Sequence, residues 1–402
     1  MNVPKLRFKG FDDQWILKSL GEITEPLKYG MNAAAKGFDG SNQYIRITDI
    51  EENTRTYLSK ERVSPDGPLN DEYLLRDGDI LFARTGASTG KSFIYKEALG
   101  KMYYAGFLIR ARLKTSDISD FVYYQTLTEK YNRWVEVMSM RSGQPGINAR
   151  EYETFSFLIP AVAEQEKIAG FFNTLNRRIE HQQAKVEALK EQKKGLLQKI
   201  FSRELRFKDE HGKDFPEWES KKLKEIADII GGGTPSTANS ANWDGDINWF
   251  TPTEIGHTKY VANSSRTITE HGLEKSSAKL LPVGTILLTT RATLGEMSIT
   301  NSPATTNQGF QSLIVKEGFL NEFVFYLQPL IKKYCYKHSS GSTFMEISKK
   351  TLAEMPLLMP CKREQIKIAS LFSELDKKIE LEQRKITQQI QQKKALMQQM
   401  FI

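Results

Sequence analysis

The chain has 402 residues, of which 39% are hydrophobic and 26% charged, a composition typical of a globular protein large enough for more than one core. Its net charge of +8 and pI of about 9.1 favour an acidic partner such as a nucleic acid, without requiring one. Two cysteines, Cys335 and Cys361, are too few for a disulfide framework or a metal site, and no apolar run reaches the ~18 residues of a membrane span. We therefore expect a cytoplasmic protein without membrane contact.

A similar leading segment opens each half of an internal repeat. LRFKGFDDQWILKSLGEI begins at Leu6, and LRFKDEHGKDFPEWESKKLKEI begins at Leu205, with Trp15 matching Trp218. A globular body and a long helical segment follow in each half. The repeat predicts four consecutive segments, which are a first body at 1–155, a helix at 156–202, a second body at 203–355 and a helix at 356–402.

Short apolar strands and a few helical patches predict an α+β fold for each body. QYIRITDI around Tyr44 and DGDILFART from Asp77 are strand-like in the first body. GDINWFTPTEI from Gly245 and VGTILLTTRATLGE from Val283 take the same places in the second body. Because the sequences of the two bodies otherwise differ strongly, we expect both bodies to share one scaffold that carries different surface residues.

A glycine-rich loop follows a predicted strand in each body. RTGASTGKS, residues 84–92, has three residues between its glycines, whereas a phosphate-binding P-loop has four. Its counterpart TTRATLGEM lacks the Lys-Ser pair, so nucleotide hydrolysis through Lys91 is a minor alternative. Both loops contain an arginine, small hydroxylated residues and a glycine, which suit phosphate contacts, although a tight turn with a solvated arginine is equally open. The candidate DNA contacts from the two loops are Arg84, Thr85, Lys91, Arg291 and Thr293.

A flexible polar segment precedes each long helix. MRSGQPGINAREY starts at Met140, and HSSGSTFMEISKK starts at His338. Arginine, asparagine, glutamine and serine on adjustable loops are typical of base readout, but the same residues are also common turn formers. The candidate DNA contacts from these segments are Arg141, Ser142, Gln144, Asn148, Ser342 and Lys349.

The second body has a further polar element, IIGGGTPSTANSANWDGDINWFTPTEI, at residues 229–255. Its three glycines permit a close backbone approach, and Thr234 and Ser236 offer hydroxyl donors. Trp249 is either a core aromatic or a residue that stacks near the ligand. The corresponding segment of the first body, LKYGMNAAAKGFDGSNQYIRITDI, retains only the general pattern of this element.

The two long helical segments, at 159–201 and 359–401, share about 18 identities over about 43 aligned positions. Apolar residues recur at alternating steps of four and three, which predicts coiled-coil seams, each about 60 Å long. The seam positions are Ile168, Phe172, Leu175, Ile179, Val186, Leu189, Leu196 and Ile200, and then Ile368, Phe372, Leu375, Ile379, Ile386, Leu396 and Met400.

Polar residues interrupt both seams at matching places, Gln182 with Glu382 and Lys193 with Lys393, and such residues fix alignment. Since each helix starts from a different body, intramolecular pairing requires an antiparallel coiled coil with pseudo-two-fold symmetry. Identities outside the seam suggest a surface that binds equivalent partners. The candidate partner contacts are Glu164, Gln165, Lys167, Glu364, Gln365 and Lys367.

The run GGGTPSTANSANWDGDINWFTPTEI resembles the opening of a target-recognition domain in the specificity subunit of type I restriction-modification enzymes. The IP/MP-to-EQ-K-IA-F-L-IE helices resemble that family's two conserved regions. The resemblance covers essentially the whole chain in the family's order. The first body departs from it, with GMNAAAKGF in place of GGTPS, so borrowed contacts are less secure there.

The resemblance implies a non-catalytic subunit that binds double-stranded DNA. Each recognition domain would read one half of a split site, and the paired helices would fix the gap and dock two methyltransferase subunits, with two restriction-motor subunits joining them. S-adenosylmethionine, ATP and Mg would bind those partners, and this chain would hold no cofactor. No N-P-P-F or D-P-P-Y motif of an adenine methyltransferase occurs in the sequence. The alternatives are an enzyme, either a nucleotide hydrolase or a self-contained methyltransferase, and a coiled-coil scaffold that binds only proteins.

Overall fold

The computed structural model describes residues 3–52, 54–58, 61–114, 119–140, 144–340 and 345–401. The chain forms two compact units, the first made of Met1–Lys185 with Glu382–Ile402 and the second of Val186–Leu381. Each unit combines an α+β body with part of each long helix. The predicted domain boundaries, which separate the helices from the bodies, stay a prediction, because the compact units divide both helices.

The first unit contains strands β1 to β10 and helices α1 to α4, with the start of the long helix α5. The strands are β1 Ile16–Ser19, β2 Lys28–Tyr29, β3 Ala34–Gly37, β4 Gln43–Ile45, β5 Val63–Asp66, β6 Ile80–Ala83, β7 Ser92–Ile94, β8 Met102–Tyr104, β9 Leu108–Ala111 and β10 Ser156–Ile159. The helices are α1 Leu20–Ile23, α2 Ser119–Gln125, α3 Glu129–Ser139, α4 Ala149–Glu153 and α5 Val162–Phe201. Strands β2-β9-β6-β7 form an antiparallel sheet, and β4 pairs in parallel with β8.

The second unit repeats this arrangement. The strands are β11 Glu219–Lys222, β12 Ala227–Gly231, β13 Trp243–Phe250, β14 Tyr260–Val261, β15 Arg266–Ile268, β16 Ile286–Leu288, β17 Met297–Thr300, β18 Ala304–Thr306, β19 Gln311–Val315 and β20 Pro356–Met359. Three of these strands, β12, β13 and β19, are longer than any strand described in the first unit. The helices are α6 Leu223–Ile226, α7 Glu270–Glu274, α8 Asn321–Tyr326, α9 Gln328–His338, α10 Lys349–Ala353 and α11 Lys362–Met400. Strands β12-β19-β16-β17-β14 form one sheet and β15-β13-β18 a second.

A two-stranded antiparallel ladder joins the start and end of each body. Strand β1 pairs with β10 in the first unit, and β11 pairs with β20 in the second. A buried tryptophan precedes each ladder, Trp15 at 2% exposure and Trp218 at 7%, and packs in the main hydrophobic core of its unit. The predicted match between these tryptophans therefore corresponds to a shared place in the fold.

One glycine has the same structural role in both bodies, although the surrounding sequences differ. A Cβ on Gly30 would lie 2.2 Å from the Ala105 carbonyl oxygen, and a Cβ on Gly232 would lie 2.1 Å from that of Asn307. Both carbonyls follow the parallel strand of their unit, β8 or β18. Only glycine permits this approach of two backbone segments. The glycines of the GGGTP segment thus bring protein backbone together inside the second unit.

Within each unit the two long helices run antiparallel. In the first unit, the ring of Phe172 lies 5.7 Å from that of Phe401, and Gln182 hydrogen-bonds Glu382. Residues later in α5 therefore contact residues earlier in the α11 segment. In the second unit, Lys193 forms an ion pair with Asp376. The seam residues are buried or half-buried throughout. The predicted α+β bodies with paired antiparallel helices are confirmed.

Candidate nucleic-acid interface

Two polar segments predicted as DNA contacts lie side by side in the first unit. Thr85, in the loop after β6, forms a β-bridge with Gly146 from the segment before α4. The amide of Gly86 donates to the Pro145 carbonyl at 3.0 Å. Gly86 has a φ of 73°, a left-handed conformation that suits glycine. The loop and the segment therefore form one surface, although they are some 60 residues apart in sequence.

Arg84 is held at this surface by an aromatic side chain. Its guanidinium carbon lies 4.9 Å from the centre of the Tyr29 ring, within the range of a cation–π contact. The Tyr29 hydroxyl in turn accepts a hydrogen bond from the amide of Ala149, the first residue of α4, at 3.1 Å. Arg84 is half-buried and Tyr29 is 42% exposed, so a cation and an aromatic ring both reach the surface.

The remaining candidates of the first unit differ in their placement. Gln144 is exposed. It lies beside Gly86, since a Cβ added to Gly86 would be 3.3 Å from Nε2 of the glutamine. The Asn148 side chain caps α4 by accepting from the Glu151 amide at 3.0 Å. Arg141 and Ser142 lie outside the described residues.

Lys91 does not belong to this surface. It is 6% exposed, pairs with Glu52 and donates from Nζ to the Ile50 carbonyl at 3.3 Å. An ammonium buried with internal partners does not reach a phosphate, so the expectation that Lys91 contacts DNA is corrected to a structural role. The same burial removes the support for nucleotide hydrolysis through this residue.

The equivalent loop of the second unit carries a cation that is already paired. Arg291 is exposed, and its Nε lies 2.8 Å from a carboxylate oxygen of Glu346. The Thr293 hydroxyl donates to the Pro252 carbonyl at 3.0 Å, which gives that side chain an internal partner. Lys349 is exposed at the start of α10, behind the capping residue Ser348. Ser342 lies outside the described residues.

Backbone hydrogen bonds show that Arg84 and Arg291 are not equivalent. The Arg84 amide donates to the Phe107 carbonyl at 3.1 Å, and the matching bond in the second unit runs from the Thr290 amide to the Gly309 carbonyl at 2.7 Å. Arg84 therefore corresponds to Thr290, and Arg291 lies one position later. The interpretation that the two loops share one arginine is wrong by one position, because the two arginines are alike in type but occupy different places in the backbone hydrogen-bond pattern.

The GGGTPS element presents hydroxyls but not its tryptophan. Thr234 and Ser236 are exposed, and the Thr234 hydroxyl donates to the side-chain oxygen of Gln308 at 2.5 Å. Trp249 is 5% exposed, and its indole nitrogen donates to the Gly233 carbonyl at 2.9 Å. Its ring packs edge-to-face on Trp243 at 5.0 Å. Trp249 is thus a core aromatic, and its expected DNA contact is corrected.

Four residues predicted to bind partners are buried at the helix starts. Glu164 and Gln165 are each 1% exposed, Glu364 is 0% and Gln365 is 1%. Two bonds from Arg7 reach Glu164, at 2.7 and 2.8 Å. These identities between the copies have an internal cause, so the expectation that the four side chains face a partner is corrected.

The matching contacts in the second unit involve the repeated leading segment. Arg206 and the Trp218 indole both donate to Glu364, the indole at 3.0 Å. Gln165 and Gln365 each donate to a proline carbonyl five residues earlier, at 2.9 Å. The LRF motif of the leading segment and the EQ motif of the long helix are therefore repeated together, because the arginine of the first binds the glutamate of the second in each unit. We call each arginine–glutamate pair with its leading segment an anchor.

Lys167 is exposed and Lys367 is half-buried, so both are more accessible than the buried glutamates and glutamines of the same motif. The Lys167 ammonium lies 5.6 Å from the Phe8 ring centre, and Lys367 donates to the Lys208 carbonyl at 2.8 Å while lying 5.6 Å from the Phe215 ring centre. Both contacts are again with the leading segments.

Sequence reasoning missed a polar network between each body and its helices. In the second unit, the Tyr326 hydroxyl donates to Asp376 at 2.8 Å, and Lys193 and Lys259 both approach this pair. Burial lowers the pKa of Lys259 and raises that of Tyr326. The signal available in the sequence was the pair of matched lysines, Lys193 and Lys393, inside otherwise apolar seams.

The first unit has the same network without the carboxylate. Tyr124 donates to the Asn173 side chain at 2.6 Å and accepts from Asn176 at 2.9 Å. Lys393 lies 5.8 Å from the Tyr124 ring centre, and burial lowers its pKa to about 8. Asn176 stands where the second unit has Asp376, so this position supplies no negative charge to Lys393, and the nearby Glu180 carboxylate offsets the effect of burial only in part.

No helix within the described ranges is long and apolar enough to span a membrane. Across that same part of the chain, no group of three or more histidine, cysteine or acidic side chains has the arrangement of a metal site.

Comparisons with known proteins agree on one family. The profile described as the type I restriction modification DNA specificity domain matches residues 13–191 and 216–392. The chain is 40% identical over 185 residues to the type I restriction enzyme MjaIX specificity subunit of Methanocaldococcus jannaschii, an alignment that covers 45% of this chain and 43% of that protein. It is 24% identical to the putative type I restriction enzyme MjaX specificity subunit of the same organism, over 98% of this chain and 95% of that one.

A solved structure has the same fold along its whole length. The crystal structure of the type I restriction-modification system S subunit from M. genitalium matches with a TM-score of 0.58 at 15% identity, covering 100% of this chain and 99% of that one. Identity this low supports the fold alone.

Proposed function

The chain belongs to the type I restriction modification DNA specificity domain family, and on that premise we propose that each of its two units reads one half of a bipartite duplex DNA site. The observation that carries this proposal is the presence of one scaffold with two different polar surfaces. The first surface combines Arg84, Tyr29 and Gln144, whereas the second unit presents Arg291 paired with Glu346 on one loop and Thr234 bonded to Gln308 on the GGGTPS element. Different donors on one frame suit different base sequences, because base edges are distinguished by their donor and acceptor patterns.

The long helices supply a fixed separation between the half-sites. Helix α5 has 40 residues and α11 has 39, which gives each a length of about 60 Å. Polar pairs inside the seam, such as Gln182 with Glu382, hold the register of the two helices. A spacer of defined register allows two readers to accept only one gap.

The catalytic chemistry is assigned to partner subunits. Two methyltransferase subunits, which bind S-adenosylmethionine, join this chain, and two restriction-motor subunits use ATP and Mg. The chain itself contributes recognition and holds none of these cofactors. The burial of Lys91 supports this division, since it leaves the P-loop-like segment without its cation. We place the complex in the cytoplasm, where it has access to cellular DNA.

A binding assay on the chain assembled with its methyltransferase partner tests the proposal. The complex should bind a duplex that carries the methylated motif mapped in the host genome far more tightly than a scrambled duplex, and its affinity should fall steeply with salt. Scrambling either half alone should reduce the discrimination without abolishing it. Equal affinity for both duplexes would contradict the proposal, and saturable S-adenosylmethionine or ATP binding by the isolated chain would favour an enzyme instead.

Inserting one heptad into both helices tests the spacer. Seven residues preserve the seam and add about 10 Å to each helix, so the permitted gap between half-sites should change. Sequencing of methylated adenines reports the gap directly. A heptad variant that still methylates the original spacing would contradict a spacing role for the helices, whereas a two-residue insertion, which turns the apolar stripe away from the partner helix, serves as the control that breaks the seam.

A further inference from the structure

Phe107 is a large apolar side chain held out into solvent at the candidate interface. It is 62% exposed, in the turn between β8 and β9. Its neighbours fix that turn, because the Gly106 amide donates to the Met31 carbonyl and the Leu108 amide donates to the Ala105 carbonyl, both at 2.8 Å. An exposed phenylalanine on a well-anchored turn contributes little to the core of its own unit. Apolar side chains exposed singly are common on protein surfaces, so the residues around this ring decide what it can contact.

The position of this turn connects it to the polar surface of the first unit. The Phe107 carbonyl accepts from the Arg84 amide at 3.1 Å, and the Arg84 guanidinium also approaches the Gly106 carbonyl at 3.4 Å. Arg84 lies on the 42% exposed ring of Tyr29. The phenylalanine ring thus belongs to a surface that combines a cation with exposed aromatic groups, a combination typical of nucleic-acid binding.

The second unit has no corresponding side chain. Gly309 takes the place of Phe107, as the matching bond from the Thr290 amide shows. A Cβ on Gly309 would lie 2.8 Å from Cγ of Pro252, so this position does not accommodate a ring without rearrangement. The apolar contact is therefore a property of one unit, as expected of a residue that distinguishes one half-site from the other.

We propose that Phe107 makes an apolar contact with a base in the half-site read by the first unit, and so contributes to sequence specificity rather than to general DNA affinity. The proposal rests on the bipartite reading argued above. Apolar chemistry in duplex DNA is offered by the thymine methyl group in the major groove and, where a base step is unstacked, by the faces of the bases, whereas the phosphates offer none. A phenyl ring beside Arg84 therefore adds base discrimination to a cation that binds either phosphate or guanine.

The test uses the chain assembled with its methyltransferase subunits and a duplex that carries the mapped site. Phe107→Ala should weaken binding to that duplex by about 5- to 150-fold, the range for losing one aromatic contact with a base, while leaving binding to a scrambled duplex and the salt slope unchanged. The loss should disappear when one particular half-site is scrambled and persist when the other is. Phe38→Ala is the matched control, because Phe38 is an exposed phenylalanine, 37% accessible, in the same unit.

Two further variants separate the chemistry from folding. Phe107→Tyr keeps the ring and should retain most of the affinity, whereas Phe107→Leu keeps apolar bulk without the ring and distinguishes the two sources of the contact. If the contact is a thymine methyl, Leu should retain discrimination and thymine-to-uracil substitution should weaken the wild type but not Phe107→Ala. If the contact is a base face, Leu should behave like Ala and uracil should have no effect.

Three outcomes would overturn the inference. Unchanged affinity of Phe107→Ala for its site would show that the ring touches no base. An equal loss on site and scrambled duplexes would make it a general contact. Failure of Phe107→Ala and Phe107→Leu to assemble with the methyltransferase subunits would make it a protein contact. Each is distinguishable from failure of the proposed function, in which the wild-type complex itself does not discriminate its site.

Discussion

The two anchors place a glutamate at the same point of each unit but surround it differently. Arg7 binds Glu164 in the first unit, and Arg206 binds Glu364 in the second. The Trp218 indole also donates to Glu364, whereas the buried indole nitrogen of Trp15 has no hydrogen-bond partner among the described residues. Identity between the copies therefore marks internal contacts, and the copies differ in how many of the buried polar groups at these contacts have a hydrogen-bond partner.

The polar networks show the same pattern at the helix seams. Tyrosine and lysine are retained in both units, but Asp376 of the second corresponds to Asn176 of the first. The divergence becomes larger at the loops, where Phe107 replaces Gly309 and Arg84 replaces Thr290. Variation thus grows from the anchors towards the surfaces that we assign to DNA.

Removing an anchor glutamate should have the largest effect on stability. Glu364→Ala leaves the Arg206 guanidinium without its buried partner and should lower the free energy of unfolding by about 3–5 kcal/mol. Glu164→Ala should cost about 1 kcal/mol less, because Trp15 donates no hydrogen bond to lose. Chemical denaturation of the whole chain measures both.

The control is Glu166→Ala, an exposed position two residues from the anchor, with an expected change of about 0.5 kcal/mol or less. If the anchor variants were as stable as the wild type but failed to assemble with methyltransferase subunits, the partner role expected from the sequence would be restored.

Replacing the equivalent glycine of either body with alanine should destabilise both bodies to a similar extent. Gly30→Ala and Gly232→Ala each force a Cβ against a backbone carbonyl and should destabilise by about 1–3 kcal/mol. Gly170→Ala, on an open helix face with nothing within 4 Å of the added Cβ, should instead stabilise by about 0.5–1 kcal/mol. Thermal unfolding compares the three variants, and a neutral result at either buried glycine would contradict the equivalence.

Asn176→Asp should make the first network resemble the second. A carboxylate near Lys393 should raise its pKa from about 8 and stabilise the chain by about 1–2 kcal/mol at neutral pH. In the wild type, the lowered pKa means that burial of the charged lysine destabilises the fold fully below pH 8, and that this cost fades as pH rises towards 10.5. The advantage of the variant should therefore be largest below pH 8 and shrink above it.

A double-mutant comparison isolates this charge pair. In a Lys393→Met background, Asn176→Asp should give no stabilisation, because the cation is absent. Equal stabilisation with and without Lys393, measured by denaturation at pH 7 and pH 9.5, would mean that the new carboxylate acts on some other group.

Changes at the two arginines should have the smallest effects, confined to DNA binding. Arg84→Ala and Arg291→Ala should each weaken binding several-fold, and for a phosphate contact the salt slope should fall by about one. Glu346→Ala should tighten binding to any duplex a few-fold, since it removes the carboxylate that pairs with Arg291. Glu354→Ala, which removes a carboxylate paired with Lys222 and Lys224, is the matched control in filter binding.

If Arg291→Ala and Glu346→Ala both leave affinity and salt slope unchanged, the second loop lies outside the interface. A loss in Arg84→Ala that differs strongly between cognate and scrambled duplexes would assign this residue to base readout.

The sequence by itself determined the repeat, the paired helices and the α+β bodies. These features are local or periodic, because heptad spacing fixes which helix face is buried, and a gapless repeat fixes which residues correspond. It also indicated the family, since the resemblance carried by the GGGTPS element and the helix motifs agrees with the profile that matches residues 13–191 and 216–392.

Only the tertiary structure decided which polar residues face solvent. Lys91, Trp249, Glu164 and Glu364 have the chemistry of contact residues, yet each is buried with partners far away in sequence. A pattern of residue types does not contain those distances. The equivalence of Arg84 with Thr290 and the exposure of Phe107 likewise depend on hydrogen bonds between strands. The register of those strands is set only when the chain folds. The surfaces assigned to DNA are therefore properties of the fold, built on an architecture that the sequence predicts.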